Sequence, residues 1–106
     1  GKTIIKGGII NSKEYDLGTS MIYNYNELYI EGGKITSSNL GIYNGKKDNL
    51  TGNLKMTRGE ITTGGIGIQN SANIKLIDGT ITSSNRAIYN ENQVIKIIVD
   101  ILKTVY

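Results

Sequence analysis

A repeated motif of aliphatic residues, glycine, threonine and asparagine constrains the fold of this chain more than any other feature. With Φ for an aliphatic residue, the unit reads Φ-x-Φ-x-x-Gly-x-Φ-Thr, followed by a turn and then Ile-Tyr-Asn or Ile-Gln-Asn. The second, third and fourth copies begin at Leu28, Leu54 and Ile74, a first copy begins at Thr3, and a fifth begins at Ile95. Because one short repeat cannot bury its apolar face alone, we expect the copies to stack.

The spacing of the repeats separates strands from turns. The copies start 25 (3 to 28), 26 (28 to 54), 20 (54 to 74) and 21 (74 to 95) residues apart. Inside copies two to four, the isoleucine after the glycine lies 7 residues before the next repeated isoleucine (35 to 42, 61 to 68, 81 to 88), and in the first copy the step is 12 (10 to 22). Fixed strands joined by variable turns are typical of solenoids. The same spacing predicts that Leu102 lies beside Ile81.

These features predict an all-β fold, a parallel β-solenoid of about five coils that forms a single segment over residues 1–106. Three short strands in each coil would stack into three short parallel sheets, with about 4.8 Å between coils. Alternation such as Leu28-Tyr29-Ile30 directs aliphatic side chains inward and polar ones outward. Because parallel crossover connections are almost always right-handed, we expect a right-handed β-helix.

Three competing folds fit the repeats less well. A left-handed hexapeptide solenoid needs nearly rigid coils, which copy lengths from 20 to 26 residues disfavour. A leucine-rich repeat needs a leucine-rich strand with a convex helix or turn. An antiparallel sandwich could use the short isoleucine strands, but it does not predict the same motif returning at each coil.

Three blocks resemble a known family: Gly-Lys-Ile-Thr-Ser-Ser at 33–38, Gly-Ile-Tyr-Asn at 41–44, and Asp-Gly-Thr-Ile-Thr-Ser-Ser-Asn at 78–85. They are similar to the pectin-lyase-like right-handed β-helix repeats of secreted and surface-anchored bacterial proteins, including adhesin-type repeat regions. The resemblance spans residues 3–104, and it implies a β-helix in a secreted or cell-surface protein. It does not identify an activity, because this fold carries lyases, hydrolases, adhesins and stalks.

Stacking would turn two repeated positions into structural columns. Side-chain amides one coil apart can hydrogen-bond into a ladder and satisfy the backbone of a turn. The predicted ladder consists of Asn24, Asn44, Asn70 and Asn90. The repeated glycines at 8, 33, 59 and 79 predict a bend that needs positive φ or close packing.

The residue before each ladder asparagine forms a candidate ligand surface. These residues are Tyr23, Tyr43 and Tyr89, with Gln69 interrupting the column. Outward rings can simply protect a sheet face, or they can form a surface on which a glycan stacks. If the chain binds carbohydrate, this column is the best candidate.

A row of lysines, Lys55, Lys75 and Lys96, recurs at one outward position. Such a row keeps an exposed β face soluble, and it could also attract an anionic cell-surface polymer. The net charge of +3 is small and the charges are scattered, so we expect no dedicated nucleic-acid surface.

Two inserted loops break the repeat and provide further candidate binding residues. The first copy inserts residues 12–17, which include Lys13 and Tyr15, and the second inserts residues 45–52, which include Lys46, Lys47 and Asp48. Loops on a rigid scaffold commonly carry specificity.

The composition argues against an assembled catalytic or metal site. The chain has no His and no Cys, which removes the commonest general base and the commonest soft metal ligands. The acidic residues are dispersed, whereas glycoside hydrolysis needs a pair of carboxylates and a calcium site needs a cluster of oxygen ligands. We therefore expect no catalytic residues, no metal and no cofactor. Any lyase or hydrolase activity would depend on residues outside this segment.

Two function classes follow. The favoured one is a non-catalytic structural or adhesive module of a secreted or cell-surface protein: a stalk, an adhesin segment or a self-assembling fibre element. The alternative is a fragment of a carbohydrate-active or glycan-binding β-helix protein.

No apolar run is long enough to span a bilayer, so we expect no membrane insertion. Neither residues 1–4 nor residues 95–106 have the sequence of a polar cap, which predicts a longer parent protein or end-to-end association.

Overall fold

The computed structural model describes residues 1–11, 20–91 and 103–105, which form β-strands joined by turns, with no helix among them. In chain order the strands are β1 (Lys2–Ile5), β2 (Ile9–Asn11), β3 (Ser20–Asn24), β4 (Glu27–Ser37), β5 (Leu40–Asn44), β6 (Lys46–Lys47), β7 (Leu50–Thr51), β8 (Asn53–Thr63), β9 (Ile66–Asn70), β10 (Asn73–Leu76), β11 (Thr80–Ser83), β12 (Arg86–Asn90) and β13 (Lys103–Val105). Within those ranges, therefore, no helix is long and apolar enough to cross a membrane.

The described strands form two parallel sheets and one hairpin. The larger sheet has seven strands in the order β1-β4-β8-β11-β13, with β2 also paired to β4 and β10 also paired to β8. The smaller sheet has four strands in the order β12-β9-β5-β3, and β6 pairs with β7 in an antiparallel hairpin. The prediction of an all-β fold with parallel sheets is confirmed.

The number of sheets differs from the three that the sequence predicts. In β4 and β8 the first and second strands of a repeat run on as one strand of 11 residues. The bend between them produces only a register shift, between Ile30 and Lys34, rather than a break in the strand. Since the strand continues on both sides of the glycine bend in these two copies, the first two predicted sheets are joined into one.

Equivalent residues of successive copies pair in register in both sheets. In the larger sheet Ile61 pairs with Ile35 on one side and with Ile81 on the other. In the smaller sheet Ile68 pairs in the same way with Ile42 and Ile88. Repeated positions therefore lie next to one another, as the motif predicts.

The core consists of the inward aliphatic residues of both sheets. Burial alternates along β4 and β8, so successive side chains face the interior and solvent in turn. Burying one such side chain stabilises the fold by about 1.5–3 kcal/mol. The buried cluster comprises Leu28, Ile30, Ile35, Ile42, Leu54, Met56, Ile61, Ile68, Ile74, Leu76, Ile81 and Ala87.

The repeated glycines have the positive φ that the bend requires. Gly33 has φ 85° and Gly59 has φ 105°, a region that side chains with a Cβ atom rarely enter. A Cβ atom added at Gly59 would lie 3.1 Å from the carbonyl oxygen of Gly32. Each bend therefore packs closely against the bend of the preceding copy.

The fifth copy has a different register from the one predicted. β13 pairs with β11 so that Thr104, and not Leu102, lies beside Ile81. The prediction for Leu102 is therefore wrong by two residues. A shift of two keeps every side chain on the same face of a sheet, so alternation alone cannot distinguish the two registers. The predicted start at Ile95, and Lys96, lie outside the described residues.

Candidate functional site

The four repeated asparagines form a continuous ladder of side-chain hydrogen bonds. Asn24 Nδ2 donates to Asn44 Oδ1 at 2.7 Å, and Asn44 Nδ2 donates to Asn70 Oδ1 at 2.8 Å. Asn70 Nδ2 in turn donates to Asn90 Oδ1 at 3.1 Å. The ladder follows the ends of β3, β5, β9 and β12, where each strand of the smaller sheet turns towards the next copy.

The ladder also satisfies the backbone of the turns beside it. Asn44 Nδ2 donates to the carbonyl of Asn73 at 2.7 Å, and Asn70 Oδ1 accepts from the amide of Ala72 at 3.2 Å. Asn44 and Asn70 are fully buried. These amides are used inside the fold and do not face a ligand.

The tyrosine column begins with two rings in edge-to-face contact. Tyr23 and Tyr43 are register partners, and their ring centroids lie 6.2 Å apart with planes at 62°. The Tyr43 hydroxyl is 3.0 Å from Ser71 Oγ, and the ring lies over the backbone of Gly45. Tyr23 is 54% exposed, so its ring is the part of this pair most open to a ligand. The two rings do not form one flat surface.

Tyr25 adds a third ring that the sequence argument missed. Its centroid is 6.2 Å from that of Tyr43, with planes at 69°, and Lys47 Nζ lies 5.7 Å from the Tyr25 centroid. Other copies have Gly45, Ser71 or Glu91 after the ladder asparagine, so no repeated pattern marks this position. In the sequence, Tyr25 is distinguished only as a tyrosine next to a predicted turn.

Tyr89 lies apart from this group. Gln69 separates it from Tyr43 in the register, and Gln69 Nε2 donates to Glu91 Oε1 at 2.6 Å. The guanidinium carbon of Arg86 lies 4.6 Å from the Tyr89 ring centroid, so a cation already covers one face of the ring. The predicted tyrosine surface is therefore divided into two parts.

The second inserted loop forms the β6–β7 hairpin. Lys46, Lys47 and Asp48 are all exposed, and Asp48 has φ 56°, a turn conformation that aspartate tolerates better than most residues. The base of the hairpin is closed by a hydrogen bond from Gly52 N to Gly45 O at 2.8 Å, and it is tied to the ladder corner because Gly45 N donates to Asn24 O at 3.0 Å. The hairpin thus carries Lys47 to Tyr25. Of the other candidate loop residues, Lys13 and Tyr15 lie outside the described residues.

A shallow groove of about 470 Å³ lies on the outer face of the larger sheet. It contains two lysines of the predicted row, Lys55 and Lys75, which are register partners in β8 and β10. Tyr29 precedes them in the same column. The sequence identified the lysines, but it did not reveal that Tyr29, Asn53 and Asn73 share their groove. Tyr29 occupies the lysine column in a single copy, and the motif assigns no role to the position of the two asparagines.

The chemistry of these surfaces is that of non-covalent binding. They offer aromatic rings, ammonium groups and side-chain amides, which suit stacking, ion pairing and hydrogen bonding. Within residues 1–11, 20–91 and 103–105, no three His, Cys, Asp or Glu residues are grouped so that they could hold a metal ion.

Comparison with known proteins gives no match, whether to a protein-family model, to a curated protein or to a solved structure. The resemblance to pectin-lyase-like repeats therefore stays a prediction that depends on the motifs themselves.

Proposed function

We propose that this chain is a segment of a right-handed β-helix of about five coils that serves as a non-catalytic structural or adhesive module of a secreted or cell-surface protein. The observation that carries the proposal is that the repeated asparagines form hydrogen bonds inside the fold. Asn44 and Asn70 are fully buried and bond to one another and to turn backbone. A residue that recurs in each of the first four copies thus holds those copies together.

A stack held in this way suits a stalk, an adhesin segment or a fibre element. Each coil contacts its neighbours, so coils can be added without a new core. The outer faces and inserted loops are then available for partners, which we propose to be glycans or an anionic cell-surface polymer.

End-to-end association is a further part of this proposal. Within the described residues, β1 and β2 pair only with β4, and β3 pairs only with β5. Their other edges present main-chain groups that can pair with another coil. Ile9 on β2 is 70% exposed, and such a partner would bury its side chain. Light scattering of the full chain should show a mass that rises with concentration, and a constant monomer mass would contradict association.

The second candidate is a carbohydrate-active or glycan-binding β-helix fragment. The exposed ring of Tyr23 favours it, together with the neighbouring pair of Tyr25 and Lys47. An aromatic ring beside an ammonium group fits an acidic sugar. In an enzyme of this kind, the catalytic residues would lie outside this segment.

One experiment separates the two candidates. The full chain is incubated with neutral and acidic polysaccharides, and new reducing ends, unsaturated uronate absorbance and retention on the immobilised polymers are measured. A structural or adhesive module produces no new ends and no absorbance, whether or not it is retained. New ends or new absorbance would contradict the non-catalytic proposal.

A further inference from the structure

We propose that the groove on the outer face of β4, β8 and β10 binds a linear polyanion whose hydroxyl-bearing units carry carboxylate or phosphate groups. The inference rests on the proposed role as a surface module and adds a binding site to it. Lys55 and Lys75 are the residues that would hold the anionic groups.

The register of the strands places two outward columns side by side in this groove. One column runs from Tyr29 to Lys55 to Lys75, and the other runs from Glu27 to Asn53 to Asn73. The residues between them along each strand, Leu28, Leu54 and Ile74, are buried, and Leu54 and Ile74 line the floor of the groove. A chain-like ligand lying along the stack would therefore meet equivalent groups at successive strands, about 4.8 Å apart.

The two lysines repel each other, and a bound anion would reduce this repulsion. Lys55 and Lys75 are direct register partners on one face of a parallel pair, where like charges repel. The described residues include no salt bridge to either lysine. A carboxylate or phosphate between the two ammonium groups would form charge-assisted hydrogen bonds with both.

The neighbouring column provides groups that suit hydroxyls. Asn73 Nδ2 donates to Asn53 Oδ1 at 3.1 Å, and Asn53 Nδ2 donates to the carbonyl of Thr51 at 3.3 Å. Both asparagines are exposed, and each amide has more hydrogen-bonding capacity than these two bonds use. Hydroxyls of the polymer can therefore bond beside its anionic groups.

The remaining end of the groove combines a ring, a cation and an acid. Lys2 Nζ lies 4.6 Å from the Tyr29 ring centroid and adds a third ammonium group. Glu27, the register partner of Lys2, carries the opposite charge. A carboxylate in the groove disfavours a ligand of high charge density, whereas nucleic-acid surfaces neutralise many phosphates in succession. The arrangement fits a polymer with one charge per unit, spaced by hydroxyls.

The test compares charge-matched variants of the full chain. Polygalacturonate and a poly(glycerol phosphate) are titrated at low and high salt against the wild type, against Lys55→Gln/Lys75→Gln and against Lys6→Gln/Lys34→Gln. Lys6 and Lys34 are exposed and lie outside the groove, and the two double variants have the same net charge. The groove variant should bind at least about tenfold more weakly, because it loses two charge-assisted contacts. The control variant should bind like the wild type, and Glu27→Gln should bind more tightly.

Stability distinguishes loss of binding from loss of fold. Without ligand, the groove variant should melt at the same temperature as the wild type or higher, because a like-charge pair is removed. The polymer that binds more tightly shows whether the groove prefers carboxylate or phosphate groups. Equal weakening in both double variants, or equally tight lysine-dependent binding of single-stranded DNA, would overturn the proposal. Polymer binding that does not depend on Lys55 and Lys75 would overturn the proposal that the groove is the binding site, and it would leave the adhesive role intact.

Discussion

Replacing Asn44 by alanine tests the ladder at its most buried position. Asn44 is fully buried, donates to Asn70 Oδ1 at 2.8 Å and to the Asn73 carbonyl at 2.7 Å, and accepts from Asn24 at 2.7 Å. Each such bond contributes about 0.5–1.5 kcal/mol net, so the loss of three should cost about 2–4 kcal/mol. Against a total stability of about 5–15 kcal/mol, this change is large.

Asn53→Ala is the matched control. Asn53 also bonds to an asparagine of the next copy, at 3.1 Å, but it is exposed. Water replaces lost bonds at such a site, so the expected cost is below about 1 kcal/mol.

The assay is urea denaturation of both variants, followed by circular dichroism. The slope of unfolding free energy against urea should stay constant, so that midpoints report stability directly. A cost for Asn44→Ala no greater than that for Asn53→Ala would refute the claim that the buried ladder holds the copies together.

Three further substitutions and one control substitution test single features of the stack by the same assay. Thr63→Val should stabilise the chain by about 1 kcal/mol, because Thr63 Oγ1 is buried and has no hydrogen-bond partner among the residues that the structure describes. Ser83→Ala should instead destabilise the chain, since Ser83 Oγ donates to the Gly65 carbonyl. Stabilisation by both changes would contradict the hydrogen bond from Ser83 to Gly65. Gly59→Ala should cost about 1–3 kcal/mol because of its φ of 105° and the nearby carbonyl. Gly7→Ala should cost much less, because a Cβ atom added there would meet no atom of the described residues within 4 Å. Equal costs at both glycines would contradict the packing of one bend on another.

The repeat predicts the parallel pairing well because each of its residues has a physical role in stacking. The isoleucines need a buried face, Gly59 needs positive φ, and the asparagines need partners one copy away. These requirements are local or recur from copy to copy, and both kinds can be read from a sequence. The all-β fold and the register of copies one to four follow from them.

The number of sheets and the last register could not be read in this way. Whether a glycine bend ends a strand depends on backbone geometry that composition does not specify, so β4 and β8 run through bends that the motif treats as breaks. A two-residue shift leaves side chains on the same face, so the pattern permitted both Leu102 and Thr104 beside Ile81.

Only part of the candidate surfaces could be predicted, because the repeat does not show which neighbouring columns share a groove. Lys55 and Lys75 recur and were found, whereas Tyr29 stands in their column in a single copy and Asn53 joins their groove only through strand register. Tyr25 and Lys47 meet because the hairpin folds back towards the tyrosines. Each case needs tertiary structure to bring together residues from different copies.

The most direct test of the stacked copies is to identify the carbonyl to which each amide bonds, by scalar coupling across hydrogen bonds in an isotope-labelled chain. The structure predicts coupling from the Ser71 amide to the Asn44 carbonyl, with an N···O distance of 2.9 Å, and from the Glu91 amide to the Asn70 carbonyl, at 2.7 Å. Couplings from these amides to carbonyls of their own copy, or to an antiparallel neighbour, would contradict it.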